Sequence, residues 1–565
     1  MTRIFLGAAL ALVAFSARAQ APTNLNEKTV AQLQAMMATG QLTSVQLTQY
    51  YIDRIMALDQ NDNGVNSVIE LNPDALKIAA TTDAMRSKGR VLGPLHGIPV
   101  LLKDNIDTGD KMQTTAGSFA LAGKSALSDS TVAANLRAGG AVILGKTNLS
   151  EWANFRSFFS TSGWSGRGGL THNPYSLDRN ACGSSSGSAA AAAANFATVS
   201  LGSETDGSIV CPANVNSVVG LKPTVGVTSR GGVVPISHTQ DTVGPHGRTI
   251  ADAAAALNGI AQRTPDPRDP ATSGVPLGWQ GTGKTRPALP ADYTAFVDPN
   301  GLAGARVGVT RQGIDNAPPQ VVAAFDNAIA AIQAAGATVV DLDAQGFPSA
   351  TADGEFVVLL YEFKVDLKKY FATRVGVPMA NKSLTDAIAF NNAHASTEMP
   401  YFFQEIFELA DLFSTDPNAT QPLFGISYNE ALDLDHKAGV AFDKALSDNN
   451  LDAVVAPTDS PGWTTDLILS DHFIFASSGL AGGPGYPIVQ VPAANVLGMP
   501  MGISFIGTAF SEPMLIKLAA GFEHATQARF QPTFTGNVTS ANTAGTNLTP
   551  PKPPKKDTGR RPHRL

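Results

Sequence analysis

The sequence predicts an α/β fold, one large domain or as many as three, layered around a largely parallel or mixed β-sheet. Three observations predict it. Segments with helical caps and helical apolar spacing alternate with short apolar runs of strand length. The 53 glycines and 36 prolines among 565 residues punctuate those segments as loops. Hydrophobic residues at 43% against charged residues at 15% supply a core and exclude a disordered chain or a coiled coil.

The elements follow in order. Arg3, the apolar run Ile4 to Phe15 and the sequence Ala17-Arg18-Ala19 read as a signal peptide over residues 1–19, cut before Gln20. The run is too short to span a bilayer, and no later stretch reaches the ~18 apolar residues of a membrane helix. The mature chain is therefore expected to be exported, periplasmic or secreted, without stable membrane insertion. Thr43 and Gln46 form a capping-box pattern, and Leu47, Tyr51, Ile55 and Leu58 then repeat at helical spacing. Gly97 to Leu102 reads as a first strand that runs into Lys103-Asp104-Asn105. A helix from about Ser130 to Ala138 stops at Gly139-Gly140, and the strand Ala141 to Leu144 follows. Six alanines, Ala189 to Ala194, predict a tightly packed helix that Ser188 can cap; Ala197 to Leu201 is the next strand. Arg263 to about Asn300 is a surface excursion. Beyond it come strands at 304–309, 337–342 and 451–456, with a helix over 319–335. Residues 20–531 form the predicted domain. The stretch 532–565, rich in Pro, Thr, Asn and basic residues, is expected to be a disordered tail.

Charge and rare residues exclude several function classes. With 40 Lys+Arg against 47 Asp+Glu the net charge is −7, so no global basic field exists for a nucleic acid. Two cysteines, Cys182 and Cys211, cannot build a Cys-ligated metal centre, and can make at most one bridge, which the sequence leaves open. None of the nine histidines falls in a metal-binding spacing, and no cofactor is implied.

The chemistry concentrates in two Gly/Ser loops. Cys182-Gly183-Ser184-Ser185-Ser186-Gly187-Ser188 precedes the alanine helix, and Gly202-Ser203-Glu204-Thr205-Asp206-Gly207-Ser208 follows the next strand. One short helix and one strand join them, so the two can meet, while Lys103 closes an apolar strand. A serine hydroxyl needs a base within reach, and a lysine serves only when desolvation lowers its pKa; Val100-Leu101-Leu102 supplies such surroundings.

The stretch from Asn180 to Thr224, with GSSSGSAA, GSETDGSI and VVGLKPT, resembles the signature region of the amidase signature family, and within it the bacterial peptide amidases. LHGIPVLLKDNIDT around Lys103, GKTNLSEWA at 145–153, DTVGPHGRTIADAA at 241–254 and MPMGISFIG near the C-terminus extend the likeness over nearly the whole mature chain. The resemblance implies the amidase signature fold, an α/β single large domain with a mixed β-sheet core covered by helices on both faces, and hydrolysis of carboxylic amides through an acyl-enzyme, with C-terminally amidated peptides as favoured substrates. It places the catalytic lysine at Lys103, a cis-bonded bridging serine at Ser184 and the nucleophile at Ser208. The oxyanion-hole amides fall on Thr205, Asp206, Gly207 and Ser208. Where many members carry Gly-Gly before the nucleophile and an Asp/Arg pair beside it, this chain has Asp206-Gly207, with Glu204 and Val210 at the paired positions.

Other readings stand beside it. Gly183-x-Ser185-x-Gly187 satisfies the nucleophile elbow of α/β hydrolases, which would make Ser185 the nucleophile, though no buried strand precedes it. A non-catalytic exported binding protein on the same fold is the third reading. No serine stands three residues before a lysine, which removes the serine β-lactamase pattern. His238 and His246 read as structural, and Asp178 and Arg179 either as supports of the loop before Ser184 or as a solvated turn pair. Specificity is assigned to Phe158–Gly169 and the insert 354–413. The partner is a small-molecule or peptide amide, and the sequence leaves the oligomeric state open.

Overall fold

The computed structural model describes residues 24–537, apart from 62, 280, 282–284 and 348–353. The expected signal peptide and the tail beyond 537 lie outside the described residues. An eleven-stranded mixed sheet organises the chain. Its strands are β1 (Val68–Leu71), β2 (Pro99–Lys103), β3 (Val142–Thr147), β4 (Val199–Glu204), β5 (Val219–Lys222), β6 (Thr242–Gly247), β7 (Arg306–Val309), β8 (Thr338–Asp341), β9 (Ala453–Pro457), β10 (Ile488–Val496) and β11 (Met499–Ile506). Their spatial order is β1-β3-β2-β4-β6-β5-β10-β11-β9-β7-β8. The strands β3, β2 and β4 run parallel, as do β9, β7 and β8; the other pairings are antiparallel.

Sequence logic accounts for much of this. Thr43 and Gln46 form the anticipated capping box on the helix Ser44–Leu58, whose Leu47, Tyr51 and Ile55 are fully buried. Ser130 caps Thr131–Ala138, and Gly139 ends it. The strand expected at 97–102 is β2, which starts two residues later and ends one later, so that Lys103 is its last member. All five of its residues are buried, as a central parallel strand requires.

Two boundaries differ. The alanine helix runs from Ser186 to Ala193, so Ser188 lies inside it and caps nothing; its hydroxyl donates to Leu201 O at 2.9 Å. Gly187 looks like a breaker but marks a close approach, since a Cβ there would stand 2.2 Å from Ser67 O and 2.6 Å from Asn148 O. Likewise β4 extends through Gly202-Ser203-Glu204, because these residues pair with Gly244, Val243 and Thr242 of β6. Half of the second expected loop is thus strand.

Helices flank the sheet, with Ile250–Ile260, Pro319–Ala334 and Glu512–Thr526 packed in its main core. The region 354–413 builds a core of its own from helices Glu355–Ala372, Leu384–Ala393 and Glu405–Asp411, and seats it on Trp152 and Phe155. Near the C-terminus the chain still packs beyond 531: Leu177 N donates to Thr535 O at 2.8 Å. Among the described residues no helix is long and apolar enough to cross a membrane.

Candidate active site

Lys103 ends the central strand β2, and parallel pairing with β4 carries it alongside Ser203. Its Nζ lies 2.7 Å from Ser184 Oγ, 3.0 Å from Ser203 Oγ and 3.1 Å from Ser203 O. Asn105 Nδ2 donates to the same Ser203 hydroxyl at 2.8 Å. Lys103 and Ser184 are fully buried. Burial lowers the lysine to about 7, against the opposing pull of the Asp241 and Glu204 carboxylates.

Ser184 is held by its backbone. Its carbonyl accepts from Ser150 N at 3.0 Å, and the Gly183–Ser184 peptide is cis. Position 183 admits no side chain, since a Cβ would sit 2.1 Å from Ser150 Oγ. The residue that fixes this segment is Asn180: its Oδ1 accepts from Cys182 N at 2.7 Å, and its Nδ2 donates to Ser162 O at 3.0 Å. Asp178 and Arg179, for which the sequence left that role open, form a part-exposed pair at 3.6 Å instead.

Ser208 follows the turn at the end of β4 and lies beside the Ser184 segment, with Ser185 N donating to Ser208 O at 3.1 Å. Glu204 supports the turn: its Oε2 accepts from Ile209 N and Val210 N at 2.6 and 3.0 Å, taking up free amides where the helix Val210–Val215 begins. This carboxylate needs no arginine at position 210; the charge opposing its burial is Lys222. Gly207 has φ +82°, a conformation that favours glycine. Among the described residues, the amides of Asp206, Gly207 and Ser208 have no hydrogen-bond acceptor. Asp206 is exposed and Gly207 half-buried, so the turn faces open space while the lysine behind it is closed off.

Cys182 and Cys211, two residues before Ser184 and three after Ser208, form a disulfide with a Cα–Cα distance of 5.9 Å. It ties the two serine segments together. The Ser185 hydroxyl is consumed elsewhere, donating to Ser203 O at 3.0 Å and accepting from Ser203 N at 3.2 Å inside the fold. The strand before it, Ser176–Asn180, belongs to a two-stranded ribbon, so the elbow context is missing. His246 is buried with its Nε2 3.0 Å from Ile209 O, and burial lowers it to about 4; His238 pairs with Asp366 and Glu362.

Sequence reasoning missed Ser203, Asn105 and Asp241. Asp241 accepts from Thr205 Oγ1 at 2.6 Å. Its only signal was its place at the head of the DTVGPHGRT segment.

The Amidase family model matches residues 46–516. The chain belongs to the amidase signature family. A probable amidase of Arabidopsis thaliana is 40% identical over 527 residues, covering 90% of this chain and 92% of the plant protein. A glutamyl-tRNA(Gln) amidotransferase subunit of Salinispora arenicola is 33% identical, over 89% of this chain and 98% of that one. The crystal structure of the native peptide amidase from Stenotrophomonas maltophilia superposes with a TM-score of 0.81 at 46% identity, covering 91% of this chain and all of that one. This amidase is an enzyme that hydrolyses amide bonds, built on the single α/β domain of its family.

Proposed function

We propose that the protein deamidates C-terminally amidated peptides through a Ser208-Ser184-Lys103 relay. The observation that carries this reading is the enclosed 2.7 Å contact between Lys103 Nζ and Ser184 Oγ. A neutral amine has two N–H donors and one lone pair. Ser203 offers two acceptors, its carbonyl and its hydroxyl, so the lone pair is left for the Ser184 proton. Ser184 then passes its own proton to the amine as it accepts that of Ser208, because one hydroxyl donates and accepts at once.

Ser208 Oγ attacks the carboxamide carbon, and negative charge builds on the carbonyl oxygen. The amides of Thr205, Asp206, Gly207 and Ser208 stabilise it; one such donor is worth roughly 3–4 kcal/mol. The C–N bond breaks as the nitrogen takes a proton returned through Ser184, ammonia leaves, and an ester remains on Ser208. Water, deprotonated by the same relay, hydrolyses the ester to the peptide carboxylate and frees the serine. The likeness to the Stenotrophomonas peptide amidase supports the choice of substrate. Export after loss of residues 1–19 would place the enzyme where extracellular peptides are met.

A turnover panel tests this. Peptide amides are expected to release ammonia and yield the free acid with higher kcat/KM than anilides or simple aliphatic amides. Equal or better turnover of an anilide would overturn the substrate assignment.

A further inference from the structure

Asp241 stands in the loop ahead of β6 and is almost fully enclosed. One of its carboxylate oxygens accepts from Thr205 Oγ1 at 2.6 Å; the other accepts from Ile236 N at 2.8 Å and Ser237 N at 2.9 Å. Thr205 opens the turn that carries Ser208, and Glu204 grips the far end of that turn. Asp241 also shares a small cavity with Thr205, Ser203 and Asn105; Ser203 contacts the Lys103 amine, and Asn105 donates to the Ser203 hydroxyl. A single buried carboxylate thus touches the oxyanion turn and lies across one small cavity from Ser203, the residue that contacts the base.

We propose that Asp241 is a positioning residue for amide hydrolysis, fixing the oxyanion turn through Thr205 and acting by its negative charge on the amine of Lys103. The inference rests on the reading of Lys103 as the base. Burial lowers the proton affinity of that amine and the Asp241 carboxylate opposes the fall, while efficiency is greatest when the catalytic pKa lies near the working pH. The charged and titratable groups facing Lys103 are Asp241 and Glu204, which favour its ammonium form, and His246, which burial keeps neutral. Burial pushes Asp241 itself up to about 6, so its charge is in place as pH rises through that value, ahead of the lysine; on its other side Asp241 faces Arg230, whose guanidinium is engaged by Asp269. Removing the Asp241 charge therefore lets Lys103 lose its proton at lower pH.

The test compares pH profiles of kcat/KM on a peptide amide for the wild type, Asp241→Asn and Thr205→Val, with thermal melts as a check on folding. Asp241→Asn keeps the shape and removes the charge, so the acid limb is expected to move down by about one pH unit. Thr205→Val keeps the charge and breaks the contact; the limb is expected to stay in place while kcat falls ten- to a hundredfold at unchanged KM. An Asp241→Asn limb that coincides with the wild-type limb overturns the electrostatic role, and a Thr205→Val enzyme with wild-type kcat overturns the positioning role. A wild-type profile with no acid limb near neutrality would instead remove the lysine base itself, and this inference with it.

Discussion

In the proposed relay Lys103 faces two opposing demands: burial strips its proton, and a base must still be able to take one. Its surroundings meet both, because the closed pocket lowers it to about 7 while two carboxylates limit the fall. The hydroxyls that use this amine are separable by substitution. Ser208→Ala is expected to cost about four orders of magnitude in kcat with the melting temperature unchanged. A serine-directed phosphonate is expected to label Ser208 and leave Ser185 untouched; mass-spectrometric assignment of the adduct to Ser185 would contradict both roles. The two loops stood out in the sequence because glycine and serine crowd together there, while the family resemblance supplied Lys103, Ser184 and Ser208 as the residues to watch. Ser203, Asn105 and Asp241 were not legible, since each acts by a contact across the fold that no local pattern records.

Elements set the distance between these residues. The strand β2 and the strand β4 deliver Lys103 and the Ser208 turn from neighbouring positions in one sheet, and the segment ahead of the alanine helix brings Ser184 to the Lys103 amine. Propensity and capping revealed Ser44–Leu58 and Thr131–Ala138, whose signals lie within a few residues of chain. They failed at β6, Thr-Val-Gly-Pro-His-Gly, where a Cβ at Gly244 would stand 2.0 Å from Leu221 O. Close packing selects glycine there and erases the strand signal. The Cys182–Cys211 bridge acts at this scale, closing a separation of 29 residues around the two serine segments. Replacing both cysteines by serine is expected to destabilise the enzyme by about 3 kcal/mol in denaturant titrations without reductant. It should also lower kcat before global unfolding, and a double variant with wild-type midpoint and kcat would show that the bridge supports neither.

For the whole molecule, buried carboxylates make stability depend on pH. Asp435 is enclosed, and burial, with the Glu362 carboxylate beside it, pushes it up to about 7. A carboxyl with a raised folded-state pKa contributes stability that is complete below its unfolded value and lost as pH rises through the folded one. The melting temperature is expected to fall between pH 5 and pH 8, and Asp435→Asn to flatten that fall; identical slopes in the two proteins would deny the residue this part. The sequence predicted a mixed sheet in a single α/β domain, and the eleven-stranded sheet agrees. The strand order was hidden, because antiparallel β5, β6, β10 and β11 join the two parallel halves through contacts far apart in the chain. All of that architecture converges on one amine, and the most direct measurement of its role is kcat/KM for a peptide amide from pH 5 to pH 9. The expected result is a tenfold rise per pH unit that levels off near pH 7. A rate independent of pH down to 5, or one still climbing at pH 9, would contradict a buried neutral lysine as the base.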